Sequence, residues 1–140
     1  MDDNRDIIQQ DIIFYDESGG GVTFSGGEPL LQPDFLRDIL VECGQYEIHR
    51  AVDTTGFTSR ATIKKIARHT DLFLYDLKHM DSERHQLFTG VPNQVILDNL
   101  TFIHDLNANI IVRIPLIPGI NDDDENLDQV CRFLKPLENI

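Results

Sequence analysis

The sequence predicts an α/β fold built from about four parallel β/α units. Three observations carry that prediction. Short runs rich in β-branched and aromatic residues alternate with longer segments whose apolar residues recur at helical spacing. Glycine or proline stands at most of the junctions between them. The chain has 140 residues, within the ~100–150 common for one domain, and long enough to bury roughly 68–70% of its unfolded surface.

Taken in order, residues 2–15 read as a helix, with Ile7, Ile8 and Ile12 at helical spacing, broken by Ser18 and Gly19 to Gly21. Val22 to Ser25 is the first strand by propensity. Pro33 suits the first turn of the next helix, and Asp34 complements its positive pole. Phe35, Leu36, Ile39, Leu40 and Cys43 give that helix its apolar stripe, and Gly44 is expected to end it. Residues 49–53 form a second strand, stopped by Gly56. Ser59 caps a helix whose inner face is Ile63, Ile66 and Ala67. Leu72 to Lys78 is the third strand, and residues 93–106 a helix facing inward through Ile96, Leu100 and Ile103. Ile110 to Leu116 is the fourth strand, closed by Pro118 and Gly119. Asp122 or Asp123 caps a last helix bearing Leu127, Val130, Cys131 and Leu134, with Asp122 and Glu125 at capping-box spacing. Pro136 stops it. Strands alternating with helices imply parallel pairing through right-handed crossovers. No linker or low-complexity tract divides the chain.

Composition narrows the function. Twelve Lys and Arg oppose 24 Asp and Glu, a formal charge of −12. Phosphate neutralisation dominates nucleic-acid affinity, and this field repels phosphates, so no nucleic-acid partner is expected. No apolar run approaches the ~20 residues needed to span a bilayer, and no signal segment opens the sequence, so no membrane partner and a cytoplasmic location are expected. The two cysteines, Cys43 and Cys131, lie far apart. They exclude a zinc ribbon, a cysteine-only iron–sulfur site and a disulfide scaffold, and they fall on apolar stripes as core thiols.

In parallel α/β architectures, chemistry collects beyond the C-terminal ends of the strands. Ser25, Gly26, Gly27 and Glu28 follow strand one. Asp53 and Thr54 end strand two, Asp76 and Lys78 sit on strand three, and Arg113 lies on strand four. With period-two alternation, Leu72, Leu74, Asp76 and Lys78 share one face of strand three, and Phe73, Tyr75 and Leu77 the other. Arg113 inside an apolar run is costly unless it meets a partner or ligand. The bland readings are a structural ion network and an ordinary glycine turn. The glycine pair is not a P-loop, because no Gly-Lys-Ser/Thr follows. Asp122 to Asp124 lacks the alternation of a calcium loop, and His79 and His85 lack metal-ligand spacing. Together the rim residues suit a zwitterionic small molecule. Lys78 and Arg113 would hold a carboxylate, Glu28 would accept from an ammonium, and Gly26 and Gly27 would let backbone approach closely. Asp53 and Asp76 would share a cation or bind a ribose hydroxyl.

The segment Ser18-Gly-Gly-Gly-Val-Thr-Phe-Ser-Gly-Gly-Glu-Pro-Leu-Leu-Gln32 resembles the Gly-Gly-Glu region of the radical S-adenosylmethionine (radical SAM) enzymes, nearest the pyruvate formate-lyase activating enzymes. Asp53-Thr-Thr-Gly56, Asp71 to Lys78, Gly90-Val-Pro-Asn93 and Arg113 to Asp122 follow that subfamily's pattern in order, so the resemblance runs from about Ile7 onward. It implies a partial, TIM-like (β/α)6 barrel. It also implies chemistry in which a [4Fe–4S] cluster on three cysteines cleaves S-adenosylmethionine to a 5′-deoxyadenosyl radical, which removes a hydrogen from a glycine of a partner glycyl-radical enzyme. On this resemblance Gly26, Gly27 and Glu28 would meet the methionine amino group. Asp53, Thr54 and Asp76 would contribute to a monovalent-cation site, and Asp76, Lys78 and Arg113 would line the cofactor pocket.

The family's Cys-x-x-x-Cys-x-x-Cys loop is absent from these 140 residues. The resemblance therefore implies that residues 1–140 form one incomplete barrel domain without the first and last β/α units. Alone it is expected to hold no cluster and to be inactive. The alternative is a stand-alone, non-catalytic module that binds S-adenosylmethionine or a protein. Unpaired sheet edges and an uncovered barrel interior lead us to expect self-association.

Overall fold

A computed structural model describes residues 7–8, 10–138 and 140. Helix α1 (Ile12–Ser18) is followed by β1 (Gly21–Phe24), a 3-10 turn at Pro29–Leu31 and α2 (Pro33–Gln45). Next come β2 (His49–Thr54), α3 (Arg60–Ala67), β3 (Leu72–Asp76), α4 (Ser82–Thr89) and α5 (Gln94–Asp105). Strand β4 (Ile110–Arg113) and α6 (Asp124–Leu134) complete the described elements.

The four strands pair in parallel in the order β1-β2-β3-β4. Sequential order with right-handed crossovers winds every unit the same way, so the crossover helices lie on one side of the sheet. This is the arrangement of a barrel wall, in agreement with the partial (β/α) barrel expected from the sequence. The register puts Val52, Phe73 and Ile110 in one row and Thr54, Tyr75 and Val112 in the next. These rows face the helices, where Leu40, Ile63, Ile66, Leu100 and Ile103 bury all of them but Val112, which is partly buried. The opposite face carries Asp53, Leu74 and Ile111 in one row and Asp76 with Arg113 in the next. That face is less covered among the described residues: Leu74 is half-buried and Ile111 remains 50% exposed.

Local chemistry explains most boundaries. Pro33 opens α2, Ser59 caps α3 by accepting from the Thr62 amide at 3.2 Å, and Asp81 and Asp123 cap α4 and α6. Several expectations need correction. Gly44 does not end α2; the helix runs on to Gln45, the left-handed turn falls at Glu47, and Gly44 makes room for Arg50, whose guanidinium a Cβ there would meet at 2.3 Å. Asp123, not Asp122, is the α6 cap, so the Asp122–Glu125 box does not form; Asp122 instead accepts from the Gly119 amide. Strand β3 stops at Asp76 and β4 at Arg113, earlier than Lys78 and Leu116. Pro115 has no amide to continue the β4 ladder. Cys43 is buried, but Cys131 is exposed: α6 packs through Asn126 and Val130 with Phe133 and Leu134 against the core, one position around from Cys131. Part of the helix expected over residues 2–15 lies outside the described residues; α1 runs on to Ser18, with Ile13 and Phe14 exposed. Helix α4 was not expected, because it has no apolar stripe and buries only His85.

Candidate functional site

The C-terminal ends of the strands bring together most of the rim residues named from the sequence. Gly26 and Gly27 adopt φ of +87° and +42° immediately after β1, and a Cβ at either would meet nothing within 4 Å. The pair turns the chain with open space before it, so the backbone there is approachable. Gly27 leads into Glu28, which caps the 3-10 turn through the Leu30 amide.

The Glu28 carboxylate is occupied by its own chain. Oε1 accepts from the Thr54 hydroxyl at 2.5 Å and the Leu30 amide at 3.3 Å. Oε2 accepts from the Thr55 amide at 2.9 Å and the Thr55 hydroxyl at 2.7 Å. That fills about four lone-pair positions of a carboxylate. Glu28 thus ties the loop after β1 to the loop after β2. Thr54 faces the helices, is 2% exposed and also accepts from the Gly56 amide. Its side chain therefore stands on the opposite face from Asp53 and Asp76, which the structure does bring together.

Asp53 and Asp76 are joined by Arg113. The guanidinium donates from Nε and Nη2 to Asp76 Oδ1 at 3.0 and 2.9 Å, and from Nη2 to Asp53 Oδ1. Ser25 Oγ donates to Asp53 Oδ2 at 3.0 Å. A polar line thus crosses the open sheet face from β1 to β4. The Arg113 pKa is raised above its ordinary value, first by the Asp76 hydrogen bond, so the group stays charged. Two carboxylates and one guanidinium leave the line with one net negative charge. Among the described residues the Asp76 Oδ2 atom accepts no hydrogen bond, which leaves one acceptor of the line unused.

Lys78 differs from the other charged rim residues. Its ammonium has no ion pair or hydrogen bond among the described residues, and it lines a recess of about 230 Å³. Asp76, Glu28 and Thr55 share that recess with the apolar side chains of Phe57, Val91 and Ile96. A cleft of about 530 Å³ along Ser25–Pro29 shares Glu28 and Leu31 with it, so the two adjoin.

Three buried asparagines fix the segment that carries Lys78. Asn121 Nδ2 donates to the carbonyls of Lys78 at 2.7 Å and Pro115 at 3.0 Å, and its Oδ1 accepts from the Ile117 amide. Asn93 Nδ2 donates to the carbonyls of His79 and Met80, and Asn126 Oδ1 accepts from the Met80 amide. A fourth, Asn99, holds the carbonyls of Gly56 and Thr58 at 2.8 Å each. Asn93 and Asn121 lay within the motifs quoted above, but only as pattern. Their clamp role has no sequence signal, because asparagine between elements reads as a turn residue. His79 is buried; its Nδ1 accepts from the Asp81 amide, and burial, then the nearby Arg84 charge, lowers its pKa.

Among the described residues no group of three or more His, Cys, Asp or Glu is placed to hold a metal ion. Cys43 lies in α2 and Cys131 in α6. No described helix is long and apolar enough to cross a membrane.

Comparison with known proteins adds the following. The family model of the radical SAM superfamily matches residues 4–131. The choline trimethylamine-lyase activating enzyme of Oleidesulfovibrio alaskensis is 42% identical over 134 residues, covering 96% of this chain and 43% of that protein. The trans-4-hydroxy-L-proline dehydratase activating enzyme of Clostridioides difficile is 48% identical over 133 residues, covering 93% and 44%. The chain thus spans less than half the length of these curated relatives. A crystal structure of a domain of pyruvate-formate lyase-activating enzyme from Bacteroides vulgatus superposes with a TM-score of 0.79 at 50% identity, covering 84% of this chain and 73% of that one. Streptococcus suis SuiB bound to S-adenosylmethionine shares the fold at 16% identity, with a TM-score of 0.68 over 81% of this chain and 26% of that one.

Proposed function

The chain belongs to the radical SAM superfamily, and from that premise we propose that it is the S-adenosylmethionine-holding part of a glycyl-radical-enzyme activase. Its macromolecular partner would be a glycyl-radical enzyme of the pyruvate formate-lyase type. The observation that carries the reading is the unpaired Lys78 ammonium in an apolar-walled recess beside Asp76, continuous with the open glycine turn.

The residues fit the zwitterionic end of that cofactor. Lys78 is the cation left free to take a carboxylate, since Arg113 is held by Asp53 and Asp76. In a recess walled by Phe57, Val91 and Ile96, water screens such a pair less than on an open surface. Asp76, with one oxygen unused, would serve an ammonium or a monovalent cation beside that carboxylate. Asp53 and the backbone of Thr54 complete the neighbourhood of such a cation. Gly26 and Gly27 admit the ligand backbone-close, and Glu28 keeps their loop registered on β2. The cofactor, when bound, supplies the hydrogen-abstracting group. The two cysteines present, in separate helices, do not fit a [4Fe–4S] cluster, and the 140 residues alone are expected to be inactive.

Nuclear magnetic resonance titration with S-adenosylmethionine tests the reading. The amides of Gly26, Gly27, Thr55 and Lys78 should shift together, and Lys78→Ala should weaken the titration about tenfold or more. Unmoved rim amides, or an unchanged affinity in Lys78→Ala, would refute the assigned site. Anaerobic reconstitution with iron and sulfide tests the inactivity. A stoichiometric cluster absorbance near ~400 nm, typical of thiolate-bound iron–sulfur centres, would overturn it.

A further inference from the structure

The end of the sheet opposite that rim holds a second cleft, of about 560 Å³, where β2, β3 and β4 begin. Its charge contrasts with the rest of the molecule. The chain carries −12 overall, yet Arg60, Lys64, Lys65 and Arg68 supply four of its 12 basic residues, and no acid occurs between Asp53 and Asp71. Lys64 and Arg68 line the cleft. They stand at i,i+4 on one face, where like charges repel. Neither side chain has an ion pair or hydrogen bond among the described residues. Lys65 is turned away to Asp34, and Arg60 lies over the Phe102 ring at 4.8 Å.

The single carboxylate lining the cleft does not balance them. Asp71 is taken by Arg50, whose Nε, Nη2 and backbone amide all donate to it at 2.8 Å. That pair is neutral and closed, so the cleft keeps two net positive charges. Cations near a helix C-terminus complement its dipole. The dipole does not account for the recess that Lys64 and Arg68 share. Asn107, Asn109 and His49 also line the cleft, and the Asn109 side-chain amide donates to the Asp71 carbonyl at 3.0 Å. Asn107 holds a left-handed φ of +57° there. Ala67, Leu106 and Ala108 supply the apolar part of its lining.

We propose that this cleft is a second ligand site, for a small organic phosphate. A dianion neutralises both free cations, whereas a monocarboxylate leaves one unpaired, and guanidinium and ammonium together suit phosphate oxygens. The volume far exceeds a bare phosphate and falls in the range of small-molecule sites. The apolar lining therefore takes an organic body attached to the anion. The lining residues come from α3 and its C-terminal end, the loops before β3 and β4, and His49 at the start of β2. The site is independent of the S-adenosylmethionine reading.

Phenyl phosphate is the probe, titrated into the chain and followed by calorimetry and amide shifts. We expect saturable one-to-one binding with shifts at Thr70, Asn107 and Ala108. Lys64→Gln and Arg68→Gln should each weaken it about tenfold, the loss of one charge-assisted contact. Lys135→Gln, far along the chain on the surface, should leave it unchanged. Both cleft substitutions alter exposed side chains, and the thermal midpoint of each variant confirms the fold. Absent binding, or binding indifferent to both substitutions, overturns the proposal. Inorganic phosphate binding as tightly as phenyl phosphate overturns the organic body. A poly-glutamate peptide that binds through Lys64 and Arg68 while phenyl phosphate does not would replace the small ligand with an acidic protein segment.

Discussion

Gly56→Ala is expected to be among the most damaging single-methyl additions in the chain. Gly56 has φ of +73°, and a Cβ built on it would lie 1.7 Å from the Tyr75 hydroxyl, 2.3 Å from Cζ and 2.7 Å from Cε2. Tyr75 is completely buried and donates to the Ile96 carbonyl at 2.7 Å, so it has nowhere to retreat. Left-handed backbone costs an L-residue about 1–2 kcal/mol. Overpacking adds roughly 1–3 kcal/mol. Breaking the buried tyrosine hydrogen bond adds about 1–3 kcal/mol if its partner is left unsatisfied. The sum is about 3–8 kcal/mol against a typical total of ~5–15 kcal/mol. Gly119→Ala is the internal control, because Gly119 has φ of +75° with nothing within 4 Å, and should lose only the backbone part, about 1–2 kcal/mol. Tyr75→Phe in the Gly56→Ala background should restore little, since the ring carbon at 2.3 Å remains. Urea unfolding followed by circular dichroism measures all of these at constant slope. A Gly56→Ala loss no larger than that of Gly119→Ala would refute the steric argument.

Three further outcomes follow from the same contacts. Asn121→Ala removes donors to the Lys78 and Pro115 carbonyls and an acceptor for the Ile117 amide. It should cost about 2–5 kcal/mol in urea unfolding, because buried polar groups are left unpaired; a loss below ~0.5 kcal/mol would show that the clamp is dispensable. Asp71 has its pKa lowered, first by the Arg50 side-chain hydrogen bond. Its contribution is present above the unfolded value of about 3.9 and is lost as pH falls through the lower folded value. Stability measured from pH ~5 downward should therefore fall less steeply in Asp71→Asn than in the parent chain. With β1 and β4 unpaired at the sheet edges among the described residues, sedimentation velocity over a concentration series should show association; a concentration-independent monomer would count against it.

The fold was legible because its signals are local. Alternation in Leu72 to Leu77 separated the buried Phe73 and Tyr75 from the half-exposed Leu72, Leu74 and Asp76, and the structure keeps that division. Gly26, Gly27, Asp53, Asp76, Lys78 and Arg113 were legible as rim residues because parallel strands all end at the same rim. What each does there was not legible. Glu28 looked like a free acceptor, but its donors Thr54 and Thr55 lie 26 and 27 residues away. Lys78 and Arg113 looked equivalent, until a guanidinium was found spanning two strands to two carboxylates while the ammonium stood alone. Helix α4 escaped notice because capping by Asp81 and Gly90, rather than an apolar stripe, defines it.

The two faces of the sheet divide core burial from the polar site. Hydrophobic stabilisation scales with apolar area removed from water. Nearly all of the fully buried area lies on the helix side, where Val52, Phe73, Tyr75, Leu40, Ile63, Ile66, Leu100 and Ile103 are at 0% exposure. The other face contributes little, with Leu74 half-buried and Ile111 half-exposed. Its charges are either satisfied by one another, as in the Asp53–Arg113–Asp76 line, or without a partner among the described residues, as in the half-buried Lys78. Folding and ligand chemistry therefore draw on different sides of the same strands. A substitution such as Lys78→Ala should change binding with little change in stability, because no intramolecular partner is lost. Arg113→Ala should do both, because it strands two carboxylates on one face. That contrast separates a ligand-directed cation from a structural one, and it needs only the unfolding midpoint beside the titration.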